Sequence, residues 1–140
     1  MDNLIGLMKS YEDYIGGKGA SDPDIKNAEE SLNTNFSNDY KEYLLTIGLA
    51  MFNGHELTGI TNDKRLSVIE VTKEQRSINT MVGSNWYVVE ELYIDGSVIW
   101  QDPKGKIYQT FGKQDPELVA NSLIEYLKWW KTKNNKRWKI

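Results

Sequence analysis

The chain has 140 residues, no cysteine, one histidine and a formal net charge of −3. Without cysteine there are no disulfides, thiolate metal sites or cysteine nucleophiles, and the length predicts a single domain over residues 1–140. The charge is uneven: residues 1–127 carry −9 and residues 128–140 carry +6, so the body is expected to attract a basic partner and not the phosphates of nucleic acid.

Met1–Ser10 has an acid at position 2 and no long apolar run, so it does not read as a signal peptide. No stretch approaches the roughly 18 apolar residues of a membrane span. The expectation is a cytoplasmic protein without membrane contact. Leu4, Ile5, Leu7, Met8, Tyr11, Tyr14 and Ile15 recur at spacings of three and four, which predicts a helix from Met1 to about Ile15. Gly16-Gly17-Lys18-Gly19 ends it in a loop. No GK[ST] follows those glycines, so they do not read as a phosphate loop.

Ser21-Asp22-Pro23-Asp24 has the make-up of a helix start: a capping hydroxyl, a proline for the first turn, and acids at the positive end of the dipole. Ile25, Ala28 and Leu32 then share one face, and Asn33-Thr34-Asn35 ends the helix. Ser37-Asn38-Asp39 is a second cap, followed by the stripe Tyr40, Tyr43, Leu44 and Ile47, with Gly48 at the left-handed terminal position. Leu49–Phe52 extends, Asn53-Gly54 is a strong hairpin signal, and His55–Thr58 returns. Residues 61–81 fit both a strand and a helix. From Trp86 the pattern is β: Trp86–Ile94, a turn at Asp95-Gly96, Ser97–Gln101, a turn at Asp102–Gly105, and Lys106–Phe111. Asp115-Pro116-Glu117 then resembles the earlier helix start. It predicts a last helix burying Val119, Leu123, Tyr126, Leu127 and Trp130, with a basic tail over 131–140 that frays or continues it.

No catalytic constellation emerges. His55 is alone, follows a turn, and reads as a surface residue, and two-histidine metal motifs are impossible. Glu90 and Glu91 are neighbours on a strand, so they are expected on opposite faces and not as a carboxylate pair. Glu29, beside an apolar helix face, reads as an acceptor for the loop around Phe36 or for a tyrosine hydroxyl. The chain is therefore expected to be non-enzymatic, with no cofactor and no metal. Ser77–Pro103 contains no lysine or arginine, four acids and several aromatic residues. Two readings fit this span: core aromatics backed by solvated acids, or a surface for a basic protein partner. For the second, the partner-binding candidates are Glu90, Glu91, Asp95, Asp102 and Trp100.

The order of these motifs resembles the SUKH superfamily, whose members include a fungal cell-wall-synthesis regulator and many bacterial immunity proteins. Ile25, Ala28, Glu29 and Leu32 match its I-x-x-A-E-x-x-L helix. Phe36, Asp39, Tyr40, Lys41 and Leu44 match the corner and its D-Y-K-x-x-L run, and Gly48 matches the helix-ending glycine. Glu56, Leu57 and Gly59 match an E-L-x-G-like turn. Val68–Thr72 through Arg76, Trp86–Glu90 with Gly96, and Leu123–Leu127 resemble the later elements. Ser37 stands where the family usually has proline. The resemblance implies an α+β fold with a mainly antiparallel central sheet flanked by helices, and a helix over 67–80. It also implies a non-catalytic role: an immunity protein that occludes the active site of a cognate toxin, often a nuclease, or an interaction module in a regulatory assembly.

Overall fold

The computed structural model describes residues 3–93 and 96–129. Over these residues the fold is α+β, with helices against two antiparallel sheets. The order is α1 (Leu4–Lys9), β1 (Ile15–Gly16), α2 (Asp22–Leu32), α3 (Asn38–Thr46), β2 (Ala50–Phe52), β3 (His55–Leu57), α4 (Val68–Ile78), β4 (Tyr87–Leu92), β5 (Ser97–Gln101), β6 (Ile107–Phe111) and β7 (Glu117–Ala120). A final helix, α5, occupies 123–129.

Local chemistry explains most boundaries. The side chains of Ser21, Ser37 and Ser67 accept the amides of Asp24, Tyr40 and Glu70 and so start α2, α3 and α4. Asn33 ends α2 in the left-handed conformation, and Gly48 does the same just beyond α3. Asn53 and Gly54 both have positive φ, as a primed two-residue turn requires, and join β2 to β3. The ambiguous stretch resolves as helix α4.

Two predicted boundaries are wrong. The first helix does not reach Ile15; it ends at Lys9, and the chain from Ile15 runs antiparallel to β2, with Gly17 and Gly19 donating to the carbonyls of Leu49 and Ile47. Tyr11 stacks on Phe52 instead of filling a helix face. Asp115-Pro116-Glu117 does not start a helix either. It leads into β7, which pairs with β6, and α5 begins after Ser122, whose hydroxyl accepts the Glu125 amide. Trp130 and the basic tail lie outside the described residues.

The sheets run β1-β2-β3 and β4-β5-β6-β7. They are linked through Thr58, whose amide donates to Val89 O and whose hydroxyl donates to Val88 O. The main core lies between α1, α2, α3 and α5 and the inner sheet faces. At its centre Phe36, Tyr40, Tyr43 and Tyr87 pack with ring centroids about 5 Å apart. A second, smaller core of Val71, Val88, Val98 and Trp100 sits on the opposite face of the four-stranded sheet. Among the described residues no helix is long and apolar enough to cross a membrane.

Candidate interaction surface

The lysine-free span does not present the surface its composition suggests. Trp100 is 0% exposed, with its indole N–H donating to Thr110 Oγ1 at 2.9 Å inside the smaller core. Glu90 is 1% exposed. Both are removed from any surface a partner reaches in this fold. The cause for Glu90 is a β-bulge. The register against β5 shifts between Val88 and Glu90, so Val89 and Glu90 both face inward and Glu91 points out. Strict alternation from Tyr87 places Glu90 outside; one extra residue reverses that.

Among the described residues, the two remaining acids of the span, Glu91 and Asp102, are engaged within the chain. Glu91 is half-buried and accepts Gln75 Nε2 at 2.8 Å. Asp102 accepts the amides of Lys104 and Lys106 and the hydroxyl of Tyr108. Burial, and then the Asp102 carboxylate, push the Tyr108 hydroxyl up to about 12. Asp95 lies outside the described residues.

His55, expected at the surface, is 2% exposed. The turn before it is on the surface, but β3 alternates His55 and Leu57 inward and Glu56 outward. His55 Nδ1 lies 2.7 Å from Glu90 Oε1, which also accepts the Tyr126 hydroxyl. Glu90 Oε2 has no hydrogen-bond partner among the described residues. The histidine ring packs between Phe52 and Tyr126. This cluster ties β3, β4 and α5 together in the middle of the core. His55, Glu90 and Tyr126 are all almost fully buried, so the cluster reads as an internal tie.

The outward face of the small sheet is different. Ile15, Met51 and Glu56 are direct cross-strand neighbours, so their side chains form one row on one face. Ile15 is 63% exposed and Met51 37%. Glu56 carries the row on. Its two oxygens accept Nη1 and Nη2 of Arg65 at 3.2 and 3.1 Å, and Nη1 also reaches the Tyr93 hydroxyl at 3.4 Å. Tyr93 is 61% exposed. Beside the row lies a notch of about 200 Å³ with apolar walls, formed by Ile15, Met51, Leu49, Leu66 and the backbone of Gly16 and Gly17. The sequence reading missed this row. Its Met51–Glu56 half was available, because a two-residue Asn53-Gly54 turn dictates that pairing. Ile15 was hidden by the expected helix.

The motif residues of α2 and α3 prove structural. Glu29 Oε2 accepts the Phe36 amide at 2.8 Å, as expected, and pairs with Lys41 at 3.4 Å. Asp39 Oδ1 accepts the Ser37 hydroxyl and Gln101 Nε2, while Oδ2 accepts the Leu123 amide. Tyr40 and Tyr43 both bond Thr58. A family model described as SMI1-KNR4 cell-wall, of the SUKH group, matches residues 1–130. The chain belongs to that family. No curated protein matches it. In this member of the SUKH group the motif residues hold the fold: Glu29 sets the α2–α3 corner, Asp39 joins that corner to β5 and α5, and Arg76 spends its guanidinium on the carbonyls of Leu32 and Trp86. Ser37, at the position where the resemblance leads one to expect proline, starts α3 by capping and also donates its amide to the Tyr87 hydroxyl.

Proposed function

We propose that this SUKH-family protein is a non-catalytic immunity protein, which binds a cognate toxin in the cytoplasm of the producing cell and occludes its active site. The observation that carries this reading is the family match over residues 1–130, together with the family's association with toxin neutralisation. The −9 charge of residues 1–127 supports a basic partner, such as a nuclease domain. Steering by that charge comes from the whole acidic body, because Glu90 is internal and Glu91 and Asp102 are held within the chain.

The test is co-expression with the protein encoded beside it. The expected result is rescue from growth arrest, with a purified complex whose association slows as salt is added. Growth arrest that persists at equal expression sinks the reading. The family's cell-wall description favours one alternative, a non-catalytic interaction module in a regulatory assembly. Pull-down separates the two: one toxin partner supports immunity, and several unrelated partners recovered without the toxin support regulation.

A further inference from the structure

We propose that the toxin docks on the outward face of the three-stranded sheet, along the row Ile15–Met51–Glu56–Arg65–Tyr93. This inference rests on the immunity reading and names the surface and partner chemistry that it leaves open. The occupant is a loop or helix of the toxin with one aliphatic or aromatic side chain for the notch and a lysine or arginine beside it.

Three observations carry the assignment. First, the row is continuous and pre-arranged. Strand register sets Ile15, Met51 and Glu56 side by side. The two-point Glu56–Arg65 pair, extended to the Tyr93 hydroxyl, fixes long side chains before a partner arrives, which lowers the entropy cost of docking. Second, the composition is that of an interface centre. Exposed tyrosine, methionine, isoleucine and arginine stand together, and the one central carboxylate is neutralised by its own arginine. At about 200 Å³ the notch falls below the roughly 300–1,000 Å³ of small-molecule sites, and it suits a single anchoring side chain. Third, one end of the row is acidic. Glu12 and Asp13 precede Ile15, and the Asp13 carboxylate accepts the Asn53 amide at the turn just past Met51. Carboxylates at that rim call for a cation on the partner.

Leu118, also exposed at 52%, makes a poorer site. It lies on β7, an edge strand entered through Asp115, Pro116 and Glu117. Proline and charge at an edge discourage pairing with another chain.

The experiment uses the full chain and the toxin encoded beside it. It measures rescue, affinity and association rate for Met51→Lys, Ile15→Asp, Tyr93→Ala and Glu12→Lys, with Leu118→Lys as the control. Ile15 is exposed enough that Ile15→Asp stands in if Met51→Lys does not fold. Met51→Lys or Ile15→Asp is expected to weaken binding roughly 30-fold or more, the scale of losing a hot spot. Glu12→Lys is expected to slow association, most at low salt. Leu118→Lys is expected to bind within about three-fold of the parent, the scatter of a near-neutral contact. If the parent chain rescues and folded Met51→Lys and Ile15→Asp rescue equally well, the docking face is wrong and the immunity reading stands. If the parent chain fails to bind or rescue, both fall. If sedimentation finds the parent dimeric and Met51→Lys monomeric, the row is a self-contact and the proposal is overturned.

Discussion

Single side chains in this molecule gain their importance from how many elements they touch. Glu90 is the clearest case: a carboxylate in the core, held on one oxygen by His55 and Tyr126. Breaking a buried pair by removing one partner leaves the other stranded, so Glu90→Ala is expected to cost about 3–5 kcal/mol. Replacing both His55 and Glu90 by leucine is expected to cost less than the two single changes summed, since neither member of the pair then faces an apolar group alone, and the bond lost from the Tyr126 hydroxyl is counted once. Urea unfolding of the singles and the double checks this, and strict additivity would refute the coupling. Asp39 is the second case. Its carboxylate accepts three hydrogen bonds from three parts of the chain. Asp39→Ala is expected to lose about 3 kcal/mol, on the scale of hydrogen bonds to a charged group, with faster amide exchange in α5 as the local sign. The Glu29–Lys41 pair has an exposed lysine and is expected to contribute well under 1 kcal/mol.

At the scale of elements, two glycines that look alike in the sequence behave differently. Gly54 has φ 81°, and a Cβ added there meets nothing within 4 Å, so Gly54→Ala meets only backbone strain, about 1 kcal/mol. At Gly59 an added Cβ falls 1.8 Å from the Gly48 carbonyl oxygen, where two backbones cross. Gly59→Ala is expected to cost at least about 3 kcal/mol, the upper end of overpacking. Thermal melts of the two variants rank them, and equal costs would refute the contrast. The elements that could be read from the sequence are those whose signals are local: the serine caps of α2 and α3, the left-handed Asn33 and Gly48, and the Asn53-Gly54 turn. α4 could not be read locally, because Leu66, Val68, Ile69 and Val71 suit a strand as well as a helix; the family resemblance settled it. β1 and β7 were missed because their conformation is set by a neighbour: Ile15 lies against Met51, and Leu118 against Tyr108. Asp22-Pro23 and Asp115-Pro116 are the same dipeptide, but Ser21 caps the first and Gln114 precedes the second. The bulge that turns Glu90 inward leaves no mark in the composition, and that is why a buried tie was read as surface acid. The exposed row was only half legible, since it takes one residue from a strand the sequence does not announce.

For the whole molecule, the density of buried hydroxyls sets the response to alkali. Burial holds the hydroxyls of Tyr40, Tyr43 and Tyr87 well above the ordinary tyrosine value. A folded pKa above the unfolded one means the folded state keeps its protons longer. That stability is fully present below about pH 10 and is lost as pH rises through the folded values. Melts from about pH 9 to 12 are expected to show falling stability, with the buried tyrosines ionising only as the fold is lost. Ionisation of all of them while the circular dichroism stays native would contradict this. The layout also has a consequence in time. The Asp39 carboxylate waits for the Leu123 amide, 84 residues later in the chain. At the usual 5–20 residues per second of synthesis, roughly 4–17 s separate the two. Through that interval Asp39 is already made while its last partner is still unsynthesised, so a growing chain on the ribosome has α3 before it has Leu123, Tyr126 and Leu127, which share its core. The shared core of a newly made molecule is therefore complete only once α5 has emerged and Leu123 has reached Asp39.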